Sequence, residues 1–243
     1  MAPDDPQPGH PATADSRAAS ARFAVAAVAF GACAPALAWL LVGAHPAALG
    51  LATVTYFAAS TLAVAMARGL PLEKVGLCNL VTLTRMLLTS ALTAPLVAPG
   101  RTATIVAVAI LALLLDGLDG WLARRQGRES AFGARFDMEV DAAFGLVLAL
   151  NAWQAGTVGA QVLLLGLPRY LFAGAGRIWP WLVRPLPDRF GRKVVCVLQI
   201  LVLIALQLPW LAGPAATVLV LGALGALGWS FGRDVLWLRG AHR

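Results

Sequence analysis

Charge is scarce in this sequence. Only 13% of its 243 residues are Asp, Glu, Lys or Arg, against 59% hydrophobic, and the mean hydropathy is +0.76. A soluble domain carries about 25% charged residues, so this chain has roughly half the polar coat that a water-soluble fold needs. That excludes an ordinary soluble globule and makes the bilayer the natural solvent. Zinc-type sites are also excluded. The three cysteines, Cys33, Cys78 and Cys196, stand far apart in metal-free spacing and read as small packing residues, and the three histidines, His10, His45 and His242, are equally scattered. The N-terminus lacks both an apolar run and a basic lead. Residues 1–21, with Asp4 and Asp5 near the start, are expected to be a disordered cytosolic tail with no cleavable signal.

What the sequence does contain is long apolar runs. A membrane helix needs about 20 mostly apolar residues, and eight candidates follow, at about 23–43, 47–67, 80–98, 102–119, 134–152, 157–175, 194–212 and 215–236. The expected fold is all-α, a polytopic membrane bundle of about eight helices. Pro35, Pro95 and Pro168 fall inside these runs and are expected as tolerated kinks. The basic residues cluster in alternate gaps, Arg124, Arg125, Arg128 and Arg135 in one, and Arg177, Arg184, Arg189, Arg192 and Lys193 in another. The opposite loops offer only Arg101, so the net charge of +7 reads as membrane orientation rather than nucleic-acid binding, with both termini and both basic loops cytoplasmic. Gly174–Lys193, with Trp179 and Trp181, reads as an interfacial segment.

Against this background, carboxylates at the end of an apolar run stand out, because acidic groups in a membrane helix are costly unless partnered. Asp116, Asp119, Gly120, Ala123 and Arg124 share one stripe of a helix at about 100° per residue; Gly133, Asp137 and Asp141 share one stripe of the next. Glu139 points to another face and is left outside the predicted site. A short polar loop makes the two helices antiparallel neighbours, so the stripes are expected to face each other. Four carboxylates this close need cations between them. All-oxygen ligands suit Mg²⁺ or Mn²⁺, and a metal pair on carboxylates is a device for phosphoryl transfer. Gly120, Ala123 and Gly133 leave room beside the ions, and Arg124 is placed to meet phosphate oxygens.

The order D-x-x-D-G-x-x-A-R-x₈-G-x-x-x-D-x-x-x-D is met here at Asp116, Asp119, Gly120, Ala123, Arg124, Gly133, Asp137 and Asp141. This resembles the signature of the CDP-alcohol phosphatidyltransferases over roughly residues 72–236, with a core at 71–243 and two extra helices in 22–70. The resemblance implies transfer of a phosphatidyl group from a CDP-linked lipid, typically CDP-diacylglycerol, to an alcohol, with release of CMP. It implies two divalent ions on Asp116, Asp119, Asp137 and Asp141, with Asp141 as general base. It also implies a CDP site at Asp119, Gly120, Ala123, Arg124 and Gly133, and a homodimer in the inner membrane whose active site faces the cytoplasm. Asn79–Arg85 (NLVTLTR) is similar to the family's N-x-x-T-x-x-R segment, which puts Asn79, Thr82 and Arg85 near the nucleotide, although Cys78 replaces the usual preceding proline.

Two cations are candidates for the acceptor side. GRKVVCVLQ (Gly191–Gln199) resembles the family's basic-then-glutamine stretch and places Lys193 there; the alternative is a positive-inside anchor. Arg169 either binds an acceptor phosphate or the diphosphate, or snorkels to the surface. Arg233 and Asp234 read as a local ion pair. The acceptor itself is left open, with glycerol 3-phosphate suggested by the basic loop. Two competing readings of the carboxylates are a divalent-cation transporter and a Mg²⁺-dependent membrane prenyltransferase. A transporter wants ligands near the bilayer midplane, and a prenyltransferase spreads its aspartates over distant helices.

Overall fold

The computed structural model describes residues 14–69, 76–126, 130–183 and 189–240, without the side chains of 14–17, 119–126, 183 and 190. Every regular element among them is helical: α1 (Ala14–Gly31), α2 (Ala34–Val42), α3 (Pro46–Gly69), α4 (Leu77–Ala91), α5 (Thr102–Gln126), α6 (Ala131–Gln154), the single turn α7 (Leu163–Gly166), α8 (Pro168–Ile178), α9 (Phe190–Ala205) and α10 (Pro214–Gly240). Among the described residues four stretches are long and apolar enough to cross a membrane: Ala18–Val42, Pro46–Arg68, Leu77–Leu96 and Pro214–Gly240; Thr102–Leu118 is a shorter apolar helix. The chain is an integral membrane protein. Eight uniform spans are not seen among the described residues, however. The first eleven residues of α6 include Arg135, Asp137, Glu139 and Asp141, and α9 has 16 residues.

The expected sixth span, 157–175, is broken. A 3₁₀ turn at Ala160–Val162 leads into α7, and α8 then starts afresh at Pro168. The prolines explain this. A proline has no N–H to give and fits the first turn of a helix better than its interior. Pro168 opens α8, Pro35 lies in the first turn of α2, and Pro95 lies in a 3₁₀ turn beyond the end of α4. None of the three kinks a continuous helix. Cys33 and Cys196 are exposed rather than packed.

Lipid tails are as apolar as leucine, so helices here associate through close packing and interhelical hydrogen bonds rather than by escape from water. α4 is the central rod. One flank packs Leu88, Ala91 and Leu92 into a core shared with α5, α6, α9 and α10. The other packs Leu83, Met86 and Leu87 against α1, α3 and the start of α6. Phe23 of α1 is fully buried there, edge-on to Phe132 and Phe136 at 5.2 and 5.6 Å between ring centroids. The Tyr56 hydroxyl donates to Ala27 O at 2.8 Å, and the Ser20 hydroxyl to Ala67 O at 3.0 Å. Residues 14–21 are therefore part of a docked helix, which shortens the expected disordered tail; residues 1–13 lie outside the described chain.

Helix ends inside a membrane need internal partners for their last carbonyls. Asn151 Nδ2 donates to Leu92 O at 2.9 Å, Gln154 to Leu96 O, and Gln207 Nε2 to Leu203 O near the end of α9 at 3.0 Å. α7 approaches α6 closely at a glycine: a Cβ on Gly166 would stand 2.8 Å from Leu146 Cα and 3.2 Å from Gly145 O. Both obstacles are backbone and cannot rotate away. Gly166→Ala is expected to lower stability by about 1–3 kcal/mol, the range of overpacked sites, seen as a lower midpoint of thermal unfolding in detergent. Gly222→Ala, where nothing lies within 4 Å, is expected to leave the midpoint unchanged or raise it slightly, as alanine for glycine inside a helix does.

Candidate active site

The site is built at one end of α4, α5 and α6. α4 starts at Leu77 with Gly76 as its extended N-cap (φ −81°, ψ 166°). Cys78 thus occupies a first-turn position whose N–H needs no intrahelical partner, so the missing proline changes nothing in the backbone. Asn79, Thr82 and Arg85 follow at three-residue intervals on one face, and all three are buried. α6 starts under a true cap: the Ser130 hydroxyl accepts from Gly133 N at 2.9 Å. This fixes the register that carries Gly133, Asp137 and Asp141.

Asp116, Asp137 and Asp141 each place a carboxylate oxygen within 4.8 Å of the others. The two aspartate-bearing helices do not simply face each other, as the stripes suggested. α4 packs on both, and its Arg85 reaches into the space between. Arg85 Nη2 lies 2.9 Å from Asp116 Oδ1, and the same guanidinium bonds Asp137 and Asp141. Arg85 is only 2% exposed, whereas the three carboxylates are 34–46% exposed. The cation is inside and the anions line the opening. Asp119, Gly120, Ala123 and Arg124 belong to the part of α5 whose side chains lie outside the described residues.

Gly133 has a specific neighbour. A Cβ there would stand 3.1 Å from Asn79 Oδ1 and 3.0 Å from Ser130 Oγ. The structure therefore joins the two predicted CDP-binding segments, since the glycine on α6 lets Asn79 of α4 come close.

From Asp116 and Asp141 a cavity of about 440 Å³ extends between α5, α6, α8, α9 and α10. Arg169, Arg192, Gln199 and Asp234 also line it. Arg169 Nη2 bonds Glu139 Oε1 at 2.6 Å, while its buried Nε has no partner. Asp234 is buried and pairs with Arg189 at 3.8 Å and Arg192 at 3.9 Å, in place of the expected local pair with Arg233. Lys193 is exposed and is not part of the cavity wall; its neighbour Arg192 is. The signal was there in the spacing: Arg192, Cys196, Gln199 and Ile200 share one α9 stripe, and all four line the cavity. Glu139 was set aside because it faces away from Asp137 and Asp141, and that direction is what brings it to Arg169.

The donor set fits a hard divalent ion: three carboxylates converge, with no nitrogen or sulfur ligand among them. Arg85 now supplies the positive charge that such a cluster requires.

Residues 75–231 match the family "CDP-alcohol phosphatidyltransferase". The chain belongs to that family and is a membrane transferase of substituted phosphate groups, taking a CDP-linked substrate and an alcohol acceptor in phospholipid synthesis. The family is generally dependent on divalent metal, and Asp116, Asp137 and Asp141 are placed to hold it. This membership sets aside the transporter and the prenyltransferase. No curated protein and no solved structure matches the chain.

Removing Arg85 leaves three clustered carboxylates without their internal cation, a change that costs most where charges are buried. Arg85→Ala is expected to unfold at a lower temperature than the wild type in EDTA, and to recover part of that loss in millimolar Mg²⁺. Thermal unfolding in detergent, with and without the ion, checks it.

Proposed function

We propose that this enzyme moves the phosphatidyl group of CDP-diacylglycerol onto glycerol 3-phosphate and releases CMP. The observation that carries the reading is that Arg169 and Arg192 line the same cavity as the carboxylates Asp116 and Asp141. Beyond those aspartates and Arg85 the wall carries two guanidiniums, Arg169 and Arg192, against one carboxylate, Asp234, while Glu139 and Arg189 pair with Arg169 and Asp234 from outside the wall. A phosphorylated alcohol suits that imbalance better than a neutral or cationic one.

In this reading Asn79, Thr82, Gly120, Ala123, Arg124 and Gly133 hold the CDP moiety, together with Asp119. Asp116, Asp119, Asp137 and Asp141 would hold two Mg²⁺ or Mn²⁺ ions, which when bound would neutralise the diphosphate and draw charge from the lipid-side phosphorus. Arg85, tied to the same carboxylates, keeps them aligned. Arg169 and Arg192 seat the acceptor phosphate so that its hydroxyl points to Asp141. Asp141 takes the hydroxyl proton, and the oxygen forms a bond to the lipid-bearing phosphorus. The bond from that phosphorus to the CMP phosphate oxygen breaks, and CMP leaves with the electron pair.

The basic loops at this end of the bundle support a cytoplasmic active site in the inner membrane, and the family resemblance extends to a homodimer.

Two variants test separate parts of the proposal. With purified protein, CDP-diacylglycerol, glycerol 3-phosphate and Mg²⁺, Asp141→Asn is expected to lower the rate of CMP release by about 10²–10⁴, the usual weight of a general base. Unchanged release would remove Asp141 from that role. Arg192→Gln is expected to raise KM for glycerol 3-phosphate by about tenfold or more, as loss of a charge-assisted phosphate contact does, with little change in KM for CDP-diacylglycerol. If glycerol or serine releases CMP as well as glycerol 3-phosphate does, the acceptor assignment fails while the transferase assignment stands.

A further inference from the structure

A second, larger cavity lies on the opposite side of α6 from the aspartates. It measures about 800 Å³ and runs between α3, α4 and α6, with Tyr170 of α8 at one end. Its walls are apolar along most of their length, formed by Leu62 and Met66 of α3, Met86 of α4, and Phe136, Val140 and Val147 of α6. α3 lies outside the family match at 75–231, so the cavity is a joint product of the shared core and the N-terminal helices.

Two observations specify an occupant. From Arg135 to Val147 the groove follows twelve residues of α6, about 18 Å at 1.5 Å per residue. That is close to the hydrocarbon depth of one leaflet, about half of 30 Å. Charge is confined to the end level with the active site, where Arg135 and Glu139 line the groove. Glu139 is neutralised by Arg169, whereas Arg135 is exposed and makes no ion pair among the described residues. A long apolar slot with one unpaired cation at its membrane-surface end matches the chemistry of an anionic phospholipid.

We infer that this groove holds one anionic phospholipid, an acyl chain lying along α6 and the phosphate on Arg135. It is distinct from the reacting lipid. The Glu139–Arg169 pair stands between the two cavities, since Arg169 lines the first and Glu139 the second. α8 spans both, with Arg169 on one side and Tyr170 on the other. A lipid seated in the groove therefore rests against the element that carries an acceptor-side guanidinium. α3, ahead of the shared core, gains a role as one wall of this site.

The test is retention of lipid by the full-length protein, which does not depend on the proposed reaction. Purified protein is exchanged into detergent with equimolar phosphatidylglycerol and phosphatidylcholine of matched chains, and bound lipid is counted by native mass spectrometry. The wild type is expected to retain one phosphatidylglycerol in preference to phosphatidylcholine. Arg135→Gln should reduce that preference by about fivefold, the weight of one arginine near an anionic surface. Ala143→Trp, which fills the middle of the groove with an apolar side chain, should retain neither lipid while still eluting as a folded species and releasing CMP. Equal retention of both lipids by the wild type would overturn the inference, as would undiminished retention in Ala143→Trp. So would a lipid-free wild-type dimer that Ala143→Trp dissociates, because a second copy would then cover the groove.

Discussion

A guanidinium enclosed by an apolar bundle is stable only if anions come to it, and anions in the same bundle are stable only if a cation comes to them. Arg85 and the three aspartates solve both problems at once. Arg85 is on α4, Asp116 on α5, and Asp137 and Asp141 on α6, so a single polar contact fixes three helices in register. The asymmetry of exposure matters. The guanidinium is sealed in while the carboxylates open onto the cavity, which leaves their oxygens accessible to further cations and to a charged substrate.

The rest of the structure supports that contact from outside. α4 has a core on each flank, and the second core includes Phe23 and Tyr56 from the N-terminal helices. Phe23 packs against Phe132 and Phe136, which lie immediately before Asp137 on α6. These helices carry no chemistry of their own, yet they brace the turn of α6 from which two carboxylates project. At the other end of the bundle, the amides of Asn151, Gln154 and Gln207 close the carbonyls of Leu92, Leu96 and Leu203 that the bilayer would leave unsatisfied.

Much of this was legible before any coordinates. Scarce charge and long apolar runs gave a helical membrane protein, and the spacing of aspartates along two stripes gave the carboxylate cluster. The helix period alone predicts which residues share a face. It does not predict which third helix lies between two faces, so Arg85 was read as a nucleotide contact and its place among the aspartates was not seen. Prolines inside apolar runs looked like kinks, but the first turn of a helix tolerates proline better than its interior, and helices restart at Pro35 and Pro168. Ion pairs that close over long sequence separations, Arg169 with Glu139 and Arg192 with Asp234, have no local signal at all.

The central claim is that Asp116, Asp137 and Asp141 form one cation-binding unit around which the helices are arranged. Electron paramagnetic resonance of Mn²⁺ titrated into the purified protein tests it directly, because bound and free Mn²⁺ give separate signals. The account predicts saturable Mn²⁺ binding in the wild type and its loss in Asp137→Asn, with Glu139→Gln binding as the wild type does. Equal Mn²⁺ binding by the wild type and Asp137→Asn would contradict it.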